Sequence, residues 1–485
     1  MDNHLFIQAC TIAESCFVLS GRASPISIRD QIMRAYVLAR RLPLEYLTPT
    51  DGPVIVAGAG AAGVTFALEA AARVSRESRN QADIWLIESG PQVFSVQAGV
   101  GTRWIDFTQY DWPERGWRRT SVPGSMGPLE LRAATAEDLA ILWQMDMFDW
   151  AADNFGLGVL DQNTAPVRVL FNSTLKVQDL QRRQVSITGK FPKPPFQAGL
   201  LVDAQGAGQE KNCLRAKSLS DAEYCAPDHF CSERFWEEDD YEALRSDLHA
   251  SGDDAPVLIS GGSDGALQDF IRVVTGAGSA RAVFEALPAN ARSLFSRRVR
   301  SLCDQENRAW TWGDDTGACR AARATENAMS KAISQAYSTS AISDVLDDIL
   351  DMAGRHIKVC LVHPLEHFDN RYPLNRLLAL LLLEHSDRQK YNLCRLPLAK
   401  LVDVNAEGGA TCTHDPVDCR GHKHVVQLEH FPSEPATRCP PWRWGFPIRE
   451  CVVASRVIIR HGLQPPPAWA LSPPIRQLTP YNPPD

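Results

Sequence analysis

Residues 54–64, VIVAGAGAAGV, carry the chain's most specific chemical signal. Gly58, Gly60 and Gly63 form a complete G-x-G-x-x-G after an apolar run, with Ala59, Ala61 and Ala62 between them. Each glycine has a task. Gly58 permits a sharp turn, Gly60 lets backbone approach a pyrophosphate, and Gly63 lets a helix pack closely on a strand. The helix that follows turns its positive end and its N–H groups toward phosphate. Glu88, with Ser89 beside it, closes the next apolar run, ADIWLIES. An acid there accepts hydrogen bonds from ribose hydroxyls, and it comes 25 residues after Gly63, against a usual spacing of about 20. The segment VSRESRNQ accounts for the delay as a short insertion.

A second stretch, APVLISGGSDGALQDFIRVV at 255–274, repeats the pattern of strand, glycine turn and helix. Gly261 and Gly262 open it and Asp264 follows. Ser263 takes the place of the middle glycine, so backbone approaches a pyrophosphate less closely here. Between the two turns, AGLLVDAQGAGQ at 198–209 is an apolar strand that runs into Gly206 and Gly208.

The stretch VIVAGAGAAGVTFALEAA…IWLIESG resembles the FAD-binding start of the flavoprotein superfamily with two dinucleotide-binding domains, which includes flavin monooxygenases, N-hydroxylases and pyridine-nucleotide reductases. LLVDAQGAG resembles its second FAD segment, with Gln205 where Thr is usual. LISGGSDGALQDFI resembles its NAD(P)H-binding turn through Gly261, Gly262, Asp264 and Ala266, and departs from it at Ser263 and Gly265. The resemblance implies FAD at the first turn and NAD(P)H at the second. It also implies a late strand, VIIRHG, that returns toward the flavin, so that Gly462 lies near the cofactor, His461 serves as acid or base and Arg460 holds an anionic group. A flavin requires a dry apolar cavity. The loop 103–117 is expected to wall it, with Arg103 and Arg118 neutralising phosphate and Tyr110 or Trp112 covering a ring face.

The elements that must position these residues read as follows. An amphipathic helix at 28–43 ends at Pro43. A strand, a glycine turn, a helix at 64–76 and a second strand at 82–89 make a βαβ unit. A Trp- and Pro-rich loop spans 90–130, a helix 136–155, and PVRVLFN and RQVSITGKF read as short strands. Helical periodicity dominates 275–355, and LLALLLLE at 377–384 reads as a buried helix. Strands are expected at 356–364 and 451–462, and a proline-rich tail follows. The fold class is therefore α/β, with two Rossmann-like dinucleotide-binding modules and a mostly helical insertion. The expected divisions are a helical lead-in at 1–50, an FAD-binding module at 51–254, a second nucleotide-binding module at 255–450, and a return strand to the first module with the tail at 451–485.

Composition narrows the rest. The chain has 485 residues, net charge −8 and 44% hydrophobic residues, so no basic field invites nucleic acid. No apolar run reaches the roughly 18 residues of a membrane span, and the N-terminus lacks a basic opening of the secretory kind. Thirteen cysteines without a C-x-x-C suggest reduced thiols in a cytoplasm and argue against a vicinal redox dithiol. Cys412, His414, Cys419, His422 and His424 are zinc-capable, but their spacing fits no standard site, so no metal is expected. Nucleophile-elbow, P-loop and H-E-x-x-H motifs are absent.

The expected function is an FAD-dependent oxidoreductase reduced by NAD(P)H and acting on a small molecule or O₂, as a monooxygenase, N-hydroxylase or oxidase. The alternative is a dinucleotide-binding sensing or partner-binding protein with little redox turnover, meeting a protein partner through the helical insertion or the tail. A third reading is an NAD-only dehydrogenase.

Overall fold

A computed structural model describes residues 3–19, 27–78, 81–114, 127–155, 166–206, 210, 212–214, 230–252, 254–311, 315–368, 372–406, 423–430 and 448–461. The described residues divide into two units. The first takes those within 1–101 and 119–209, the second those within 102–118 and 210–463.

In the first unit, β1 (Thr11–Ala13) and β2 (Cys16–Val18) precede α1 (Ile28–Arg41), whose first turn is capped by Ser27. Then come β3 (Val54–Ala57), α2 (Ala61–Glu77) and β4 (Ile84–Ile87). Next are α3 (Ala136–Phe155) and β5 (Val167–Leu170). An antiparallel meander of β6 (Ser173–Asp179), β7 (Gln184–Gly189) and β8 (Lys193–Gln197) leads to β9 (Leu200–Asp203). The main sheet has the order β1-β2-β9-β3-β4-β5, parallel throughout except for β1. All four residues of β3 and of β9 are buried and apolar or end at a buried acid, as strands covered on both faces require. One face of the sheet meets the meander through Ile55, Ile87, Leu175, Val185 and Leu201. Helices α1 and α2 pack together, and the alanines of α2 are small enough for it to be buried along nearly its whole length.

The second unit repeats this plan. It runs β10 (Val257–Ser260), α4 (Asp264–Thr275), then the helices α5 (Ala280–Ala286), α6 (Ala289–Thr311), α7 (Asp315–Thr339) and α8 (Ile342–His356). After these come β11 (Val359–His363), α9 (Pro373–Gln389) and β12 (Leu393–Pro397). A second antiparallel meander, β13 (Ala399–Ala406), β14 (His424–His430) and β15 (Ile448–Ala454), leads to β16 (Arg456–Ile459). The parallel sheet has the order β12-β11-β10-β16. β10 thus stands where β3 does, β11 where β4 does, and β16 where β9 does. The α/β class with two Rossmann-like modules is established, and α5–α8 form the expected helical insertion.

Several boundaries differ from expectation. The lead-in contributes strands, because β2 pairs with β9. The late strand does not return to the first module's sheet: β16 pairs in register with β10, Val257 opposite Arg456. β9 already fills that place in the first sheet. The Trp-rich segment at 102–114 belongs to the second unit. Trp112 is buried there against Phe284, and Tyr110 stacks near Tyr372. Cys213 and Cys231 form a disulfide, which corrects the expectation of reduced thiols throughout.

A buried ion cluster ties the second unit together. Asp269 on α4 accepts from Arg460 Nε at 2.7 Å and from Arg103 Nη1. Arg103 also lies 3.4 Å from Asp239, which Arg272 bridges at 2.7 Å. Burial raises the pKa of Asp269, but Arg103 and Arg460 outweigh it and hold the group below the ordinary carboxylate value. A depressed folded-state pKa contributes stability above the unfolded value, and that stability is lost as pH falls through the folded one. Asp269→Ala leaves two guanidinium groups buried without their shared partner. It should cost about 3–5 kcal/mol in denaturant unfolding at neutral pH, with a smaller difference from wild type in acid.

Candidate dinucleotide-binding turns

At the end of β3 the chain reverses through Gly58, at φ +99°. A side chain there would strike the carbonyl of Ala204 at 2.5 Å, just past β9. Gly63, on α2, is closer still: a Cβ would lie 1.9 Å from the Gly58 carbonyl oxygen. Backbone thus packs on backbone at both glycines. Gly60 is different. Its φ of −74° is ordinary, and a Cβ would meet no atom within 4 Å. Gly60 is also the N-cap of α2, and no side chain caps that helix. Ala61 and Ala62 complete its first turn. The strand order changes direction at β3 and β9, the place where open α/β sheets bind ligands.

Glu88 follows β4 and is 9% exposed. Its Oε2 accepts from the N–H of Ala59 at 2.7 Å, inside the turn. Its Oε1 accepts from the Gly90 N–H at 2.7 Å and lies 3.4 Å from Ser89 Oγ. A carboxylate oxygen has two acceptor positions, so these bonds aim the group at the turn without exhausting it. Gly206, at φ +90°, lies two residues beyond Ala204, and a Cβ there also meets open space. The first unit therefore brings together the 58–63 turn, Glu88 with Ser89, and Gly206. Gly208, Arg118 and Gly462 lie outside the described residues.

The second turn has the same skeleton and different side chains. Gly261, at φ +141°, packs on the carbonyl of Arg460 at 2.2 Å from its notional Cβ, as Gly58 does on Ala204. Gly262 is the counterpart of Ala59, and a Cβ there would lie 3.3 Å from His363 Cβ. His363 stands where Glu88 stands, one residue past the in-register pair Ser260 and Val362. Asp264 accepts from the Tyr372 N–H at 2.9 Å and from Asn375 Nδ2 at 3.2 Å. Asn375 thus ties the start of α9 to this turn.

Three expected site residues are placed differently. Arg103 belongs to the second unit. It is 2% exposed in the second unit and bonded to Asp269, whose place on α4 no local pattern announces. Arg460 is equally buried, so its charge serves Asp269 rather than an exposed anion. His461 is exposed at the second turn, with its Nε2 2.8 Å from Ser260 Oγ. Sequence reasoning missed this Ser–His pair. The signal was the repeated topology, which puts the residue after β16 beside the end of β10. The cysteine- and histidine-rich stretch 412–424 lies outside the described residues except for Lys423 and for His424, which is buried on β14. Among the described residues no group of three or more His, Cys, Asp or Glu could hold a metal ion, and no helix is long and apolar enough to cross a membrane.

No protein-family model matches the chain, and no curated protein does. Among solved structures it is similar to an NAD-dependent persulfide reductase from A. fulgidus, at 10% identity and TM-score 0.31, over 84% of this chain but 45% of that one. It is also similar to an ornithine N-hydroxylase of Kutzneria sp. 744 with reduced FAD, NADP+ and L-ornithine, at 10% identity and TM-score 0.32, covering 85% and 80%. A third is the FAD-bound cadaverine monooxygenase of Erwinia amylovora, at 10% identity and TM-score 0.34, covering 85% and 79%.

The geometry separates two kinds of glycine. Gly60→Val should fold with stability within about 1 kcal/mol of wild type, yet purify without bound dinucleotide. Gly63→Ala should instead lose about 1–3 kcal/mol in denaturant unfolding, because its methyl group meets backbone. Full cofactor retention by Gly60→Val would remove the turn from the site.

Proposed function

We propose that the first unit holds FAD, that the second takes NAD(P)H, and that the protein is an oxidoreductase acting on a small molecule or O₂ as a monooxygenase, N-hydroxylase or oxidase. The observation that carries this reading is the open space at Gly60, in front of a helix that no side chain caps and beside a carboxylate aimed into the turn. A pyrophosphate suits that space as an anion at a helix N-terminus, and the Glu88 carboxylate bonded to the turn supports the reading of an adenosine ribose beside it. The order of the motifs supports FAD at the first turn: glycine turn, glycine-ended strand beside it, then a second turn far downstream.

When bound, such a pair of cofactors supplies hydride transfer from nicotinamide to flavin and electron delivery onward. The chain's own contribution is to grip, orient and exclude water. Gly58 and Gly63 fix the turn, Gly60 clears the approach, and Glu88 selects hydroxyls by accepting their hydrogen bonds. At the second turn, Ser260 holds His461 at the mouth of the sheet, which suits a group that passes or accepts a proton. The absence of a C-x-x-C favours oxygenase or oxidase chemistry over dithiol reduction. The self-capped second turn favours one other reading, a protein that holds its first dinucleotide for sensing or partner binding and turns over little.

Anaerobic addition of NADPH to the purified yellow protein should bleach its flavin absorption. Bands that persist with both NADPH and NADH would leave the sensing reading. Glu88→Ala should weaken FAD binding roughly tenfold or more, since it removes hydrogen bonds to a charged group. Unchanged affinity would make Glu88 a brace for the turn only.

A further inference from the structure

The two turns share a backbone but differ at one position in a way that bears on affinity. Gly60 and Ser263 are counterparts, each the N-cap of the helix that follows its turn. Gly60 offers no side chain and leaves open space. Ser263 closes the equivalent place on itself. Its Oγ donates to the Arg460 carbonyl at 3.1 Å and accepts from the Ala266 N–H at 3.4 Å. That N–H is one of the few a pyrophosphate would use at a helix start. The next residue adds an opposing charge. Asp264 puts a carboxylate in the first turn of α4, where α2 has no acid, and a carboxylate there already answers the helix dipole.

Resting on the reading of the second unit as the NAD(P)H site, we infer that Ser263 is an internal competitor for the pyrophosphate and sets a weak, readily exchanged hold on the nicotinamide dinucleotide. The uncapped first turn keeps a resident cofactor. The self-capped second turn admits a dinucleotide only by giving up the bond from Ala266 N–H to Ser263 Oγ. Ser263 is thus an affinity-setting residue. The bond is neutral and long, so its loss changes binding modestly, by about three- to tenfold.

The test is titration of the purified, FAD-containing protein with NADPH and with NADH, followed by nicotinamide fluorescence and by calorimetry. Ser263→Gly should tighten binding about three- to tenfold without changing FAD content, and glycine is a tolerated N-cap that costs only a few tenths of a kcal/mol. Ser263→Ala removes the hydroxyl but keeps Cβ, so it should recover only part of that gain. Equal affinity in wild type and Ser263→Gly, whether tight or absent, overturns the inference, as does weaker binding in a variant of unchanged thermal stability. Loss of FAD from wild type during purification would instead count against the first turn as a flavin seat. The FAD content of each sample therefore keeps the two failures apart.

Discussion

Backbone pressed on backbone at the end of a parallel strand is the constraint from which the rest of this molecule follows. Gly58 lies against the Ala204 carbonyl, and Gly63 against the Gly58 carbonyl, at separations that exclude any Cβ. Gly261 repeats the first contact on the Arg460 carbonyl. In the first unit these contacts lock three elements together, the first strand, the helix that leaves it and the last strand beside it; in the second, Gly261 ties the turn to the last strand, and Ala266 stands where Gly63 does. The helix can then start only at the point where the strand order reverses, and its N-terminal end faces outward there. Ligand binding at either turn depends on that placement.

The units then diverge through side chains alone. The first turn carries alanines, an uncapped helix and a glutamate whose carboxylate reaches back to Ala59. The second carries a serine that caps its own helix, an aspartate tethered to α9, and a histidine at the strand end that bonds Arg395 at 2.8 Å. One plan thus yields an open seat and a partly closed one. The proposed distinction between a resident cofactor and an exchangeable one rests on this difference in side-chain hydrogen bonding, since the topology is shared.

Much of this was legible in the sequence because the relevant forces are local. The glycine spacing of 58–63 reports steric exclusion within one turn. The helix at 136–155 and the buried helix at 377–384 are fixed by their own periodicity and composition, and α3 and α9 occupy those places. What stayed hidden depends on partners far along the chain. Arg103 read as a phosphate-binding loop residue because nothing near it reveals Asp269, 166 positions away and fully buried. The single strand expected at 451–462 divides into β15 and β16, and β16 pairs in the second sheet; apolar strands carry no label for their neighbours, and β9 takes the place beside β3 in the first sheet. His461 went with β16.

The proposed function requires the first unit to seat a single adenine dinucleotide. The most direct measurement is to denature the purified wild-type protein, separate the released small molecules by chromatography and count the nucleotide per chain. One FAD per chain is expected. Protein that releases no flavin and takes none up on incubation with FAD would contradict it, and the open turn at Gly60 would then need another occupant.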